Sequence, residues 1–281
     1  MSDTIYQVSH LTLVPRRHYG RLVAAAIVVA VLAVIVHAFA VGQIEWNYVG
    51  EFLTVPVIMK GLLNTIIMAI LAMVLGIVLG IVFAIMRLSE NPVLSMTALG
   101  YVWFFRAIPA LLQLLLWFNL ALVFPTIGIP GLFSLKTVDI MTPFVAALLG
   151  LGIQQGAFTA EVVRAGLLSV DRGQYEAAQT IGMTRLQMLR RIIMPQAMRV
   201  IVPPVGNEFI GMVKLTSLAS VIQYAEILHS AQNIYYANSR VIELLIVAAI
   251  WYLVVVTILS LIQGRIEKYF SRGVAAVGNA K

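Results

Sequence analysis

The chain has 281 residues, 61% of them apolar and only 11% charged, with a mean hydropathy of +0.95. Soluble domains carry about 25% charged residues, so lipid is the main solvent for this chain. Cysteine is absent, which excludes disulfides, thiolate metal sites and cysteine nucleophiles, and the four histidines (His10, His18, His37, His229) have no metal-ligand spacing.

A membrane-spanning helix needs roughly 20 apolar residues. In chain order, 22–44, 61–86, 107–135 and 244–264 meet this with no Lys, Arg, Asp or Glu, and 140–160 is also uncharged. The stretch 200–225 is a further candidate, interrupted by Glu208 and Lys214. The expected fold is therefore all-α: a polytopic membrane protein of six transmembrane helices. Placing the N-terminus in the cytoplasm puts fourteen Lys and Arg in inner segments, against four on the outer side or within the fifth span, with Arg106 inside the third. That bias sets the orientation, with both termini cytoplasmic. It also accounts for the net charge of +7 without nucleic acid.

The first span ends in Ala38-Phe39-Ala40, which resembles a signal-peptide cleavage site. Its apolar run is longer than a signal peptide requires, and a retained helix is favoured. Trp46 and Tyr48 follow at interface depth, in a segment read as an outer-surface amphipathic helix. In the second span Ala72, Gly76, Gly80 and Ala84 form a stripe of small residues that admits close helix packing. The third carries Pro109, expected to kink it. Arg106, one turn earlier, must face the bundle interior or snorkel to the interface, and Gln113 lies on the same face. The fourth carries Gly150, Gly152 and Gly156 with Gln154, Gln155 and Thr159 at mid-depth, either as interhelical glue or as pathway lining. Glu161 and Arg164, three apart, can pair.

The fifth span starts with Pro203, Pro204 and Gly206, expected to break or distort it, and continues with Asn207, Glu208, Lys214, Thr216 and Ser217. This is the richest polar cluster at membrane depth. Glu208 and Lys214 are six apart and do not face each other on one helix, so each needs another partner or water.

Some 35 residues separate the fourth and fifth spans, far more than a turn requires. Asp171 and Gln174 have the spacing of a helix cap and its reciprocal partner. Residues 175–181 then form a short helix with Ala177 and Ala178, and Gly182 supplies a left-handed corner. Thr184 with Gln187 repeats the capping spacing before a second helix over 186–194, which Pro195 ends or kinks. The first of these helices is too short and too polar to stand alone. Its alanines suit a protein groove better than a lipid surface.

The spacing Glu176-Ala177-Ala178, three residues, Gly182, nine residues, Ile192-x-Met194-Pro195 resembles the EAA motif of ABC importer permeases. Met194 stands where that pattern has leucine. "FFRAIPALLQLL", "GAFTAEVVRAG" and "NEFIGMVKLTSLASVI" are similar to the permeases that import polar amino acids, and the resemblance runs from about Gly61 to Gly264. Leu215 stands where an acidic residue is common, which leaves the substrate chemistry open.

The resemblance implies a five-helix type I importer core over 61–270, preceded by a cytoplasmic N-terminus, extra helix and outer connection over 1–60, with a coupling insert at 165–199 and a cytoplasmic tail at 271–281. It implies a bacterial inner-membrane location and, as partners, ABC ATPase subunits, a second permease copy or paralogue, an outside substrate-binding protein, and a polar amino acid or derivative as cargo. Glu176, Ala177, Ala178, Gly182, Ile192 and Pro195 would couple to the ATPase. Arg106, Gln113, Gln154, Gln155, Glu161, Asn207, Glu208, Lys214, Thr216 and Ser217 are the candidate pathway residues. No Gly-Lys dipeptide occurs, so the chain has no Walker A loop. ATP and Mg would bind the partner, and the chain itself would carry no cofactor, no metal and no catalytic residue. An ion-coupled secondary amino acid transporter is the alternative. A membrane enzyme would need a motif such as HExxH or GxSxG, which the sequence lacks.

Overall fold

The computed structural model describes residues 19–129 and 133–270. The segment before Tyr19 and the expected tail at 271–281 lie outside the described residues. The chain forms two units, 1–45 and 46–281. The first holds α1 (Tyr19–Val41), 23 almost wholly apolar residues, long enough to cross a membrane.

The second unit contains α2 (Trp46–Phe52), α3 (Pro56–Arg87), α4 (Pro92–Ala107), α5 (Ala110–Phe118), strands β1 (Thr126–Ile129) and β2 (Phe133–Lys136), α6 (Thr137–Ile140), α7 (Pro143–Leu168), α8 (Arg172–Thr180), α9 (Arg185–Met188), α10 (Met194–Leu215), α11 (Ile227–Asn238) and α12 (Val241–Phe270). Among the described residues, five helical stretches are long and apolar enough to span, and α4 with α5 makes a sixth, broken span. The expected count of six is met, with two differences of form.

The third span does not kink at Pro109; it breaks. Ile108 is driven to an extended conformation (φ −89°, ψ 130°), as residues preceding proline are, and α5 leaves at 101° to α4. The expected outer loop is an antiparallel hairpin, with Thr126 opposite Lys136 and Ile129 opposite Phe133. This is a small departure from an all-helical chain, over β-branched residues and glycine.

The fifth span shows the reverse. Pro195 does not stop the helix, and Pro203 and Pro204 lie inside α10. A single π turn, Leu189–Ile193, widens the helix just before Pro195. The Met194 amide reaches back to the Leu189 carbonyl. That wider pitch moves the ring away from the carbonyl it would otherwise strike. The helix continues through Leu215 into a 3-10 stretch, Thr216–Ile222.

α3 and α7 run parallel and pack closely along their small residues. A Cβ on Gly76 would come within 2.7 Å of Gln155, one on Gly80 within 2.7 Å of Thr159, and one on Gly152 within 2.7 Å of Leu75. Ala72, Gly76, Gly80 and Ala84 are all buried, so the stripe is a packing seam. The aromatic pair Phe83 and Tyr101 stacks at 3.7 Å between centroids, and the Tyr101 hydroxyl donates to the Ile153 carbonyl at 2.6 Å. This fixes α4 to the same seam.

At the bundle end opposite the α8–α9 insert, α2 is an amphipathic surface helix, with Trp46, Asn47, Gly50 and Glu51 exposed and Val49 turned inward. Val49 is buried with Ile58, Ile227 and Leu244, and Trp251 Nε1 donates to the Leu53 carbonyl at 2.9 Å. Tyr48 does face the edge, stacked beneath the Arg240 guanidinium at 4.1 Å.

Candidate functional site

The insert between α7 and α10 folds as two short helices around a sharp corner. Gly182 is left-handed (φ +74°), and a Cβ there would meet nothing within 4 Å. The Gly182 amide bonds the Gln179 carbonyl at 2.9 Å and the Met183 amide bonds the Ala178 carbonyl at 3.1 Å. These are the two bonds of a Schellman ending. α9 opens with a complete capping box. The Gln187 amide donates to Thr184 Oγ1 at 3.3 Å, and the Thr184 amide donates to Gln187 Oε1 at 3.0 Å.

The first cap differs from the spacing-based expectation. Asp171 accepts from the Gly173 amide at 2.7 Å, and α8 begins at Arg172, three residues before the predicted start. Gln174 turns away from Asp171 and accepts from Gln196 of α10 at 3.4 Å. Glycine at the second helical position lets Asp171 cap the nearer amide.

The insert has an inner and an outer face. Ala178 and Ile193 are fully buried, and Ile193 packs with Ala84, Val163 and Ala197. Tyr175 donates to the Leu167 carbonyl at 3.2 Å, tying α8 to the end of α7. Glu176, Ala177, Gly182 and Pro195 are exposed and Ile192 is half-buried. Ile181 is 71% exposed and Leu186 73% exposed. Two large aliphatic side chains beside an exposed carboxylate form an uncovered apolar surface at the corner.

Deeper in the bundle, α7 and α10 meet at Glu208. Gln155 Nε2 donates to Glu208 Oε2 at 2.7 Å, Thr159 Oγ1 donates to the same oxygen at 3.1 Å, and Gln155 also donates to Thr159 at 3.1 Å. Gln155 and Thr159 are one turn apart, so one face of α7 presents both donors. This supplies the partner that spacing demanded for Glu208. Both bonds fall on Oε2, and Oε1 remains available as an acceptor.

The other candidate residues separate into distinct roles. Gln113, 2% exposed, donates from Nε2 to the Phe105 and Ile108 carbonyls, both at 2.9 Å, and Gln154 adds a 3.3 Å bond to Ile108. They satisfy carbonyls freed where the third span breaks, a structural duty. Thr216 and Ser217 donate to the carbonyls three residues back, both at 2.7 Å. Asn207 faces α12 and donates to Glu267 at 2.9 Å. Lys214 is exposed.

Glu161 and Arg164 pair as expected, with both carboxylate oxygens engaged and a shortest distance of 2.7 Å. Arg106 lies over the Phe158 ring at 5.2 Å and shares a concavity with that pair.

Two residues that the sequence reading passed over are central to the packing. Gln263 of α12 donates to the Pro203 carbonyl at 2.8 Å and to Glu267 at 3.0 Å, and a Cβ on Gly206 would overlap it. Glu226, fully buried, caps α11 by accepting from the Leu228 and His229 amides at 2.8 and 2.6 Å, and also accepts from Tyr252 at 2.7 Å. Burial pushes its carboxyl up to about 7. The signal for Glu226 was a lone acid immediately ahead of Ile227 and Leu228. Gln263 had none, because a single glutamine in a spanning helix is uninformative until its neighbour is known.

Comparison with known proteins agrees with this architecture. The arginine transport system permease protein ArgU of Corynebacterium glutamicum is 40% identical over 262 residues, covering 92% of this chain and 83% of ArgU. The glutamine transport system permease protein GlnP of Escherichia coli is 30% identical, covering 80% of this chain and 97% of GlnP. A crystal structure of an amino acid ABC transporter with histidines superposes with a TM-score of 0.70 at 32% identity, over 81% of this chain and 99% of that one. The MetNI methionine ABC transporter shares the fold at 20% identity and a TM-score of 0.58, over 77% of this chain and 97% of its own. Residues 72–272 match the family of binding-protein-dependent transport system inner membrane components, and the chain belongs to that family of ABC importer permeases.

Proposed function

We propose that this chain is the permease subunit of an ABC importer for a polar amino acid or derivative, and that its α8–α9 insert is the docking element for a separate ATPase. The observation carrying the docking reading is the insert itself. Its corner is held by a Schellman ending and a capping box, and its outer face presents Glu176, Ile181 and Leu186, which none of the described residues covers. The ion-coupled alternative gains no support from the family or its structures.

In this reading the insert end faces the cytoplasm, both termini lie on that side, and ATP and Mg bind the partner ATPase. A second permease, identical or paralogous, completes the pathway, and a binding protein delivers cargo to the opposite end. Nucleotide-driven closure pushes on the insert. The insert joins the two helices that hold Glu208, and it is tied to both: Tyr175 to the end of α7, Gln174 to Gln196 on α10. A displacement at the corner therefore shifts Gln155 and Thr159 relative to Glu208. That is a switch between two packings of one seam. Glu208 Oε1 offers an acceptor to a cargo ammonium, the group common to amino acids.

Co-purification in lipid tests docking directly. The wild-type chain should retain its ATPase, and Glu176→Lys should lose it while inserting normally. Undiminished retention by that variant would remove the insert from the interface.

A further inference from the structure

Three arginines from three helices converge on one concavity of about 520 Å³: Arg87 closing α3, Arg106 near the end of α4, and Arg164 one turn before the end of α7. Among the described residues Glu161 is the one carboxylate lining it, and Arg164 already engages both of its oxygens. Arg106 rests on the Phe158 ring, and Arg87 donates to the neutral Ser95 hydroxyl at 3.0 Å. Among the described residues no carboxylate lies within ion-pairing distance of Arg87 or Arg106. With three arginines and one carboxylate the concavity carries a net charge of +2, and Arg106 and Arg87 reach Glu161 only through space.

Its position narrows the anion. Arg87 lies in the last turn of α3 and Arg164 one turn before the end of α7, both toward the bundle end that carries the insert. The rim is apolar and aromatic: Trp103 is 71% exposed and Leu99 47% exposed. Exposed tryptophan beside arginine at a helix end marks the headgroup level of a bilayer. Basic pockets between helices at that depth suit phosphate headgroups, whose oxygens match planar guanidinium donors.

We propose that this concavity binds the phosphate headgroup of an anionic membrane lipid, with Arg106 and Arg87 on the phosphate oxygens and Leu99 and Trp103 against the glycerol and acyl chains. The lipid then clamps α4 onto the α3–α7 seam. α4 ends at the Ile108–Pro109 break and needs such a tie more than an unbroken span would.

The test uses the full chain in phosphatidylcholine bilayers with and without phosphatidylglycerol. Retained phosphatidylglycerol is counted by native mass spectrometry, and thermal unfolding is followed in each bilayer. Wild type should retain the lipid and unfold at higher temperature when it is present. Arg106→Gln combined with Arg87→Gln should retain it about ten- to hundredfold more weakly and lose the lipid-dependent rise. In phosphatidylcholine alone the double variant should lose only the Ser95 bond and the Phe158 contact, so the difference in unfolding temperature between the two bilayers, not the absolute value, separates lipid binding from misfolding. Arg106→Lys, with charge but no planar fork, should fall between. Inorganic phosphate should give no shift. An equal shift with inorganic phosphate would make this a free-anion site and overturn the lipid assignment. Unaltered lipid retention in the double variant, or loss of amino acid binding instead, would overturn it as well.

Discussion

Gly182 allows conformation to be separated from space. Its φ of +74° is a region where an L-residue pays about 1–2 kcal/mol, yet a Cβ there would touch nothing within 4 Å. Substitution should therefore follow backbone preference and ignore size. Asparagine, which tolerates this region, should outperform the smaller alanine, and β-branched valine should be worst. If the docked state needs the corner and the free insert of the alanine variant relaxes out of it, the penalty appears in affinity for the ATPase, a weakening of about five- to thirtyfold at 1.4 kcal/mol per decade. Binding of purified ATPase to the variants in lipid nanodiscs, with membrane insertion checked in parallel, measures this. Alanine equal to glycine, or asparagine weaker than alanine, would refute the reasoning. The first result would mean that docking does not need the left-handed corner, and the second that the partner reads the size of the residue and not the turn.

Thr159→Val removes one donor from Glu208 and should destabilise the fold by about 1.5–3 kcal/mol, read as a lower unfolding temperature, with transport reduced further; full transport would remove Glu208 from the pathway. Gly206→Ala should displace the Gln263 side chain and break its bonds to Pro203 and Glu267. That change should cost about 2–4 kcal/mol from one neutral and one charge-assisted bond. Adding Gln263→Ala should cost far less than the sum, and strict additivity in this double-mutant cycle would show that the two residues do not compete. The Glu226 carboxyl, raised by burial from an ordinary 4.5 to about 7, binds its proton more tightly folded than unfolded. Stability should therefore be greatest below pH 4.5 and decline as pH rises to 7. Glu226→Gln should flatten that slope, and a slope unchanged in the variant would assign it to another group.

The features that were legible in the sequence are those set by local chemistry. Gly182 and the pair Thr184 and Gln187 act within one turn of themselves, so their spacing fixed the outcome. The stripe from Ala72 to Ala84 identified a close-packed face because small residues every fourth position leave few other uses. Proline was harder to read, since its effect depends on what surrounds it. At Pro109 the chain breaks because Gln113 and Gln154 supply donors to the freed carbonyls, whereas at Pro195 a π turn absorbs the ring and the helix runs on. The π turn and Gln113 lie close to their prolines, but the sequence does not show that the helix widens at the one or that Gln113 and the distant Gln154 turn to the freed carbonyls at the other. Polar residues at membrane depth read alike in sequence, and the structure divides them: Gln155 and Thr159 hold Glu208, Gln113 and Gln154 repair a break, and Arg106 joins a basic concavity. Partners about 50 residues away decide such roles, and for Glu208 they are Gln155 and Thr159.

The most direct test of the account is ATP hydrolysis by the chain reconstituted with its ATPase and binding protein. Hydrolysis should rise when the binding protein is loaded with a polar amino acid, and Glu176→Lys should abolish that rise while leaving the basal rate of the isolated ATPase intact. Amino acid uptake that proceeds on an ion gradient, with the ATPase absent, would contradict it.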